Sequence, residues 1–543
     1  MKKRLLSFII ALACLVLPVL TSCGDGEDYV PMAKVKPMTI TLYGIKGEGT
    51  TDEAIKAVQD EMNEYTEGNL NTRVLLRLFT EDEYYAKLDE AFAKAQEYKD
   101  NKKNNGGTKP AETTEAAPEG SGDKTSKYEM VYPNEQGTQV DIFMVRGYEM
   151  FNTYANDKKL AATVSVKEKS GIIAKYISDR YIDITTVGGT PLEGGLLDKG
   201  SIKGIPNNTV NGEYTYLLVD KALAAQHYYA EKNLTTLAGL SNFLKDAASK
   251  NSDYITLYNA PELNVNTIGD ALIGGVVTDL AHAYSELAPT NLLKNEAYVE
   301  YLKYLNLFTS KGYITEGDAH SLPENEKVAA AFIKGSSDVP AKYGDDYLVI
   351  PYAKPVMNDL GTVYCVSTYA ANSSRCMEVI SLLQTNAEYR NTFQYGVENV
   401  HYTVNDYTGI IEIISDDWNM NPADTGNIFL LKENSSMDET TRALAKNDWA
   451  VAKVHYRDTV VNPYLKFIYE PDEAFASIEE ASKNAYSGLM AYKPGVTSGT
   501  FEAYASQLAD ALDAAFGDLL NAEVETSLAS AYNKFAKTEK IVK

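Results

Sequence analysis

The chain has 543 residues, 75 acidic against 51 basic side chains, and a formal net charge of −24. That surface repels nucleic acid and anionic lipid headgroups, so neither a nucleic-acid-binding role nor polybasic membrane docking fits it. The length exceeds what one hydrophobic core holds and points to two or three domains, while 44 % apolar residues and 39 tyrosines mark an ordinary globular body rich in phenol rings.

In chain order, Lys2, Lys3 and Arg4 precede an apolar run from Leu5 to Leu17, then Pro18 and Leu20-Thr21-Ser22-Cys23. This is the pattern of a secretory signal, and the run is too short for a spanning helix, which needs about 20 apolar residues. The Leu-Thr-Ser-Cys ending resembles a bacterial lipobox. That resemblance implies cleavage after residue 22 and acylation of Cys23, enough for stable anchoring on one membrane face. Residues 23–37 then serve as a tether, with a reach of about 45 Å when extended. Two further cysteines, Cys365 and Cys376, can pair outside the cytoplasm, but their spacing does not show that they do.

Met38 to Tyr43 alternates as a strand does, and a glycine-rich turn from Gly44 to Gly49 follows. Thr51 or Asp52 caps a helix with Ile55, Val58, Met62 and Tyr65 on one face, and Gly68 can stop it. Strands are predicted at Arg73 to Leu78 and Val140 to Val145, and helices at Glu81 to Tyr98 and Tyr148 to Asn156. The alternation βαβαβ gives a parallel sheet covered by helices, and ligands of open parallel sheets bind beyond the carboxyl ends of the strands. The turns at 43–50 and 146–149 lie at such ends. Residues 101–127 contain no Val, Ile, Leu, Met, Phe or Trp and read as a disordered surface loop.

Further along, strands are predicted at Tyr214 to Val219, Tyr254 to Tyr258, Tyr347 to Ile350 (closed by Pro351) and Thr362 to Ser367. Helices are predicted over the stretch to Tyr229, 268–285, 295–311, Ser374 to Leu383 and most of 440–543. No internal repeat of fixed period is present.

Five stretches carry a resemblance to the family 1 extracellular solute-binding proteins of ABC importers, and to their large lipoprotein members in particular. They are Val140 to Leu160; Gly204-Ile205-Pro206 with Tyr214 to Leu223; Asn306 to Ile314, ending Lys311-Gly312-Tyr313-Ile314; the Ala331-Phe332-Ile333-Lys334-Gly335 turn; and Cys365 to Tyr402, with Asn372-Ser373-Ser374 and Tyr395-Gly396-Val397-Glu398-Asn399-Val400-His401-Tyr402. Asn399 stands where the family often has Gly, and the 101–127 insertion is not typical of it. The resemblance implies a two-lobed α/β fold of the type II periplasmic-binding-protein kind, with the ligand in the cleft between lobes and hinge closure on binding. The implied division is residues 38–212 for lobe 1, 213–350 for lobe 2, a return to lobe 1 over 351–400, and a mainly helical 401–543 packing on both lobes, mostly the second. It implies a monomer without catalysis, cofactor or metal that presents its ligand to the membrane subunits of an ABC permease.

The residues themselves show no competing chemistry. His227, His282, His320, His401 and His455 do not pair at metal spacing, and H-E-x-x-H, C-x-x-C, EF-hand and G-x-S-x-G patterns do not occur. His401 reads as a structural histidine. The Gly44 to Gly49 turn lacks the Lys-Ser/Thr of a phosphate loop. It is either a plain strand-to-helix turn or a cleft rim with Tyr43 facing the ligand, and Lys46 fits the plain turn better. Abundant carboxylates leave a glycan-cleaving enzyme open as an alternative.

Sugars are held by aromatic faces and by carboxylates, amides and arginine on their hydroxyls. By position in the family the candidates are Tyr43, Arg146, Tyr148, Glu149, Glu213, Tyr214, Tyr258, Asn259 and Glu262. Trp418 and Trp449 are more often core than platform, although the polar Asp416-Asp417-Trp418-Asn419 stretch moves Trp418 towards the surface. The expected solute is an oligosaccharide; a peptide-binding importer receptor and a signalling lipoprotein are the other readings.

Overall fold

The computed structural model describes residues 36–104, 139–165, 177, 179–187, 200–208, 212–262, 271–273, 276–277, 289–337, 339–437, 454, 458–462, 464–469 and 475–542. The expected leader at 1–22, Cys23, the loop at 101–127 beyond Asn104, Trp449, His282 and His455 lie outside these residues. No helix among the described residues is long and apolar enough to cross a membrane.

The described residues divide into two compact units. The first sheet takes β1 (Met38–Ile45), β2 (Thr72–Phe79), β3 (Ile142–Arg146) and β4 (Gly204–Pro206). The chain then builds a second sheet from β5 (Tyr214–Asp220), β6 (Leu257–Tyr258), β7 (Ile314–Thr315), β8 (Ala330–Gly335) and β9 (Tyr347–Ala353). It returns to the first sheet for β10 (Thr362–Val366), followed by a ribbon of β11 (Tyr402–Val404) and β12 (Ile411–Ile413). The second unit therefore runs on to residue 359, and the first keeps the chain from Leu360 through 437. Residues 401–437 hold strands and a 3-10 turn rather than the helix expected there.

Both sheets have the same topology. The first runs β2-β1-β3-β10-β4 and the second β7-β6-β8-β5-β9. In each, one strand is antiparallel to its neighbours, namely β10 against β3 and β4, and β5 against β8 and β9. In each, the antiparallel strand is the first one entered after the chain crosses from the other unit.

Local sequence explains most of these elements. Helix α1 (Asp52–Leu70) starts at Thr51, whose side chain accepts from the Ala54 N–H, and buries Ala54, Val58 and Met62. It runs past Gly68 and ends on Asn71 in the left-handed conformation, a role Asn fills because its short amide tolerates positive φ. Asn63 of this helix both donates to the Val74 carbonyl (3.0 Å) and accepts from its N–H (2.6 Å), so the outer edge of β2 is paired by a side chain. The Asn372-Ser373-Ser374 stretch is a helix start, with the Asn372 side chain accepting from Arg375 N–H.

Three elements differ from expectation. The Ala331 to Gly335 stretch is a central strand, β8, and not a turn; its Ala330-Ala331-Phe332-Ile333 run is buried on both faces, and such a continuous apolar run lacks the alternation that marks a half-exposed strand. Strand β9 continues through Pro351 to Ala353, which an edge position permits because the missing N–H faces no neighbour. Within the predicted helix at 268–285, residues Ala271–Ile273 and Val276–Val277 are short antiparallel strands.

In the second unit, alternate residues of β5 feed two cores: Leu217 and Val219 pack with Phe243, Leu244, Phe308 and Phe332, while Tyr216 and Leu218 pack with Tyr258, Ala331 and Ile333. A third core joins α2 (Glu296–Ser310) to α3 (Phe475–Met490) and α4 (Phe501–Phe516) through Val299, Leu302, Leu489, Ala505, Leu512 and Phe516. Cys365 and Cys376 are both buried and free, so the permitted disulfide is not formed.

Candidate functional site

The nine candidates at 43–262 fall at one kind of place. Tyr43, Arg146, Tyr148 and Glu149 lie at the carboxyl ends of β1 and β3; Tyr258, Asn259 and Glu262 lie at the carboxyl end of β6. Glu213 and Tyr214 lie at the amino end of β5, which runs antiparallel and so brings that end beside Gly335, the carboxyl end of β8. Parallel strands leave their carboxyl ends open to ligand, because the helices that cover the sheet start there.

In the first unit, Arg146 is committed to a network. Its Nε donates to Asp424 Oδ1 (3.2 Å), its Nη2 to Asp424 Oδ2, and its Nη1 to Glu81 (2.6 Å). Burial works against its charge, but the hydrogen bond and charge of Asp424, and then those of Glu81, hold it above the usual arginine range. Asp424 is buried and also accepts from Thr362 Oγ1 (2.6 Å). Beside this network, Tyr148 is half-buried against Phe151, with ring centroids 6.2 Å apart, and Glu149 is exposed.

Two expectations in this unit need correction. Tyr43 does not form a rim: it is 2 % exposed, stacks with Phe79, and donates to the Gln139 carbonyl at 3.3 Å. Burial, opposed by Arg77, pushes its hydroxyl up to about 12. Trp418 is 5 % exposed; its ring lies against Phe393 and His401, and its Nε1 donates to the Gln394 carbonyl at 3.2 Å. Its polar neighbours point outward while the indole fills the core.

The glycine-rich turn is a packed turn. Lys46 Nζ donates to the Thr50 carbonyl at 2.9 Å, and the Gly47 N–H donates to the Asn419 carbonyl at 2.8 Å. A Cβ on Gly47 would meet the Asn419 side chain at 2.7 Å. His401 is buried and its Nδ1 accepts from the Val397 N–H at 2.9 Å, a structural role.

The second unit holds a cavity of about 520 Å³ lined by Asn259, Ala260, Pro261, Glu262, Tyr301, Glu316, Gly317 and Ala319. Asn259 builds it. With φ at 61°, it turns the chain off β6; its N–H donates to the Thr315 carbonyl (2.9 Å), its Nδ2 to the Asp318 (3.0 Å) and Phe332 (3.2 Å) carbonyls, and its Oδ1 accepts from Gly317 N–H (2.9 Å). One amide thus ties together the ends of β6, β7 and β8. Tyr258 is roofed by Gly317, where a Cβ would lie 1.9 Å from the phenol oxygen, so this ring supports the site from beneath and does not line it.

Two tyrosines hold the other wall. Tyr301 donates to the Pro261 carbonyl (3.1 Å) and Tyr352 to the Glu262 carbonyl (3.2 Å). Tyr301 stacks with Tyr298 at 6.1 Å, and burial, then the nearby Tyr486 and Glu262, pushes its hydroxyl up to about 12. Glu262 pairs with Lys334 at 2.7 Å while remaining half-exposed. Further along the same sheet end, Glu213 shares a hydrogen bond with His320 (3.0 Å), and Tyr214, buried and stacked on Tyr216, donates to Asp458 (2.9 Å). Sequence reasoning missed Tyr301, Glu316, Lys334 and Tyr352, which come from a helix and from three other strand ends. The lining offers one phenol and two carboxylates, one of them paired with the Lys334 ammonium, beside Ala260, Pro261 and Ala319, while the Asn259 amide is committed to its backbone partners; a mixed polar and apolar hollow of this kind suits a neutral polyhydroxylated ligand.

No family model matches the chain, and no curated protein matches it in sequence. Among solved structures it is similar to the N-glycan transport solute binding protein from Streptococcus pneumoniae, at 16 % identity over 92 % of this chain and 100 % of that one, with a TM-score of 0.51. It is also similar to an HMO binding, ABC-transporter associated solute binding protein from Bifidobacterium longum infantis, at 14 % identity over 93 % and 99 % of the chains, with a TM-score of 0.46. The shared order of the two sheets and the first of these likenesses agree: the chain has the two-lobed α/β fold of the extracellular solute-binding proteins.

Proposed function

We propose that the chain is the solute-binding lipoprotein of an ABC importer, held on the extracytoplasmic face through Cys23, and that it captures an oligosaccharide and hands it, chemically unchanged, to the membrane permease. The observation that carries the ligand class is the hollow at the end of the second sheet, where Glu262, Glu316 and Asn259 sit with Tyr301 and no carboxylate pair is buried. Hydroxyl groups of a sugar donate to such carboxylates, and an aromatic ring packs on the apolar face of a pyranose. The fold, and the name of the similar N-glycan transport solute binding protein, support the same reading. The lipobox pattern at Leu20 to Cys23 supports the anchor.

A thermal-shift screen on residues 24–543 with mannose- and N-acetylglucosamine-containing oligosaccharides, other sugars, peptides and amino acids tests this. A ligand specific to the folded state adds about 2.7 kcal/mol at 100 times its Kd. The reading requires one sugar series to raise the midpoint and to be recovered intact. A shifting sugar that is cleaved makes the protein a glycan-active enzyme, and shifts confined to peptides move the ligand class. Labelling cells with a radioactive fatty acid, with Cys23→Ala as the unlabelled control, tests the anchor.

A further inference from the structure

The β11–β12 ribbon of the first unit presents apolar side chains that the fold does not use. Tyr407, at the tip, is 99 % exposed; Val400, Ile413 and Ile414, at the base, are 54 %, 40 % and 52 % exposed. Tip and base are separated by three paired residues per strand, about 10 Å.

The tip is held rigidly. Asn405 Oδ1 accepts from the N–H groups of Tyr407 (3.0 Å) and Thr408 (3.1 Å), the Gly409 N–H donates to the Asn405 carbonyl (2.8 Å), and Gly409 takes φ 72°. A fully exposed tyrosine on a fixed turn loses little freedom on contact, as interface anchors do. The base is fixed as well, with the Ile414 N–H donating to the His401 carbonyl at 2.9 Å.

The charge along this part of the chain is predominantly negative. No Lys or Arg occurs between Arg390 and Lys432, whereas Glu398, Asp406, Glu412, Asp416 and Asp417 are all exposed; the nearest cations are Lys432, whose segment pairs beside Ile411, and Lys46, whose turn packs against 417–419. An acidic rim repels nucleic acid and anionic lipid. It also disfavours a second copy of this chain, whose net charge is −24. The occupant it fits is a protein surface with Lys and Arg around an apolar depression.

We infer that the β11–β12 ribbon is the surface through which this protein docks on a basic-rimmed membrane protein partner, Tyr407 being the central anchor. On the proposed function, from which the partner's identity follows, that partner is the extracytoplasmic face of the importer's membrane subunits.

The test places a photo-reactive benzoylphenylalanine at Tyr407 of the full chain in its own cells, with the same residue at Tyr228, which is 95 % exposed and outside the ribbon, as control. The expected result is a crosslink from position 407 to an ABC-importer membrane subunit, absent from position 228 and lost in the Asp406→Lys, Glu412→Lys variant. In parallel, Tyr407→Ala lowers uptake of the sugar found by thermal shift roughly tenfold, the loss of one interface anchor. The purified variant keeps the wild-type thermal shift, which shows that it folds and binds. A crosslink only to a second copy or to lipid, no crosslink, or equal products from both positions overturns the docking surface. If no sugar shifts the protein but the crosslink forms as described, the ligand assignment fails and the docking surface stands.

Discussion

Arg146 and Asp424, 278 positions apart in sequence, form a two-pronged ion pair at the carboxyl end of β3, with the carboxylate buried. The pair fastens the 420s segment to the sheet, because Tyr364 and Thr362 of β10 bond to the same aspartate from the other side. Removing the arginine leaves a buried carboxylate with the Thr362 hydroxyl but no positive charge beside it. Arg146→Ala should therefore lower the unfolding free energy by about 3 kcal/mol, and Arg146→Met with Asp424→Leu should recover much of that loss. Urea unfolding of the single and double variants measures both.

Asn259 is the second fixed point. Asn259→Ala removes three side-chain hydrogen bonds and leaves a β-carbon at φ 61° without the amide that makes Asn tolerant there, so it should cost about 3 kcal/mol. Asn259→Gly loses the same bonds without the backbone strain and should be milder by about 1 kcal/mol. The difference between the two, read from denaturant midpoints at equal slope, separates conformation from hydrogen bonding.

The hollow proposed to hold ligand gives a binding prediction. Glu262→Gln keeps the shape and removes the charge that on this proposal accepts from sugar hydroxyls, and should weaken the proposed oligosaccharide roughly tenfold, or about 1.4 kcal/mol. Tyr301→Phe loses only the bond to the Pro261 carbonyl and should cost about 1 kcal/mol, whereas Tyr301→Ala removes the wall and should cost more. Calorimetric titration of the three variants with the screened sugar decides whether this hollow is the site.

The thiols give a pH prediction. Burial raises both Cys365 and Cys376 above the ordinary cysteine range. Ellman's reagent should thus find no reactive thiol in folded 24–543 at pH 8 and two in guanidinium. A group whose folded pKa exceeds its unfolded value favours the fold below the unfolded pKa of about 8.5 and loses that contribution as pH rises, so stability should fall above about pH 9.

Strands β1, β2 and β3 of the first sheet were readable because their neighbours are punctuated: Gly44 to Gly49 after β1, Gly147 after β3, and an alternation along β2 that leaves every second residue half-exposed; β4, three residues long, gave no such signal. Strand β8 hid because Ala330-Ala331-Phe332-Ile333 is buried on both faces, and its closing Lys-Gly looked like a turn. Strand-end positions pointed to Asn259 and Glu262, since a parallel sheet opens its carboxyl ends. Their companions carried no local signal. Tyr301 lies on a helix whose apolar spacing reads as core, and Lys334 meets Glu262 only because β8 lies beside β6. Trp418 was obscured by its neighbours: three polar residues beside it in sequence say nothing about which way one large ring turns.

The placement of β10 has a consequence for biosynthesis. Strand β4 hydrogen-bonds only to β10 within its sheet, and β10 ends at Val366. A nascent chain that has delivered residues up to Pro206 therefore holds three strands of its first sheet and a fourth with no neighbour. That sheet closes only after more than 150 further residues have been made, the whole of the second sheet among them. Such long-range closure is slow to nucleate. The first sheet is therefore the last of the two to be completed, although it is the first to be begun.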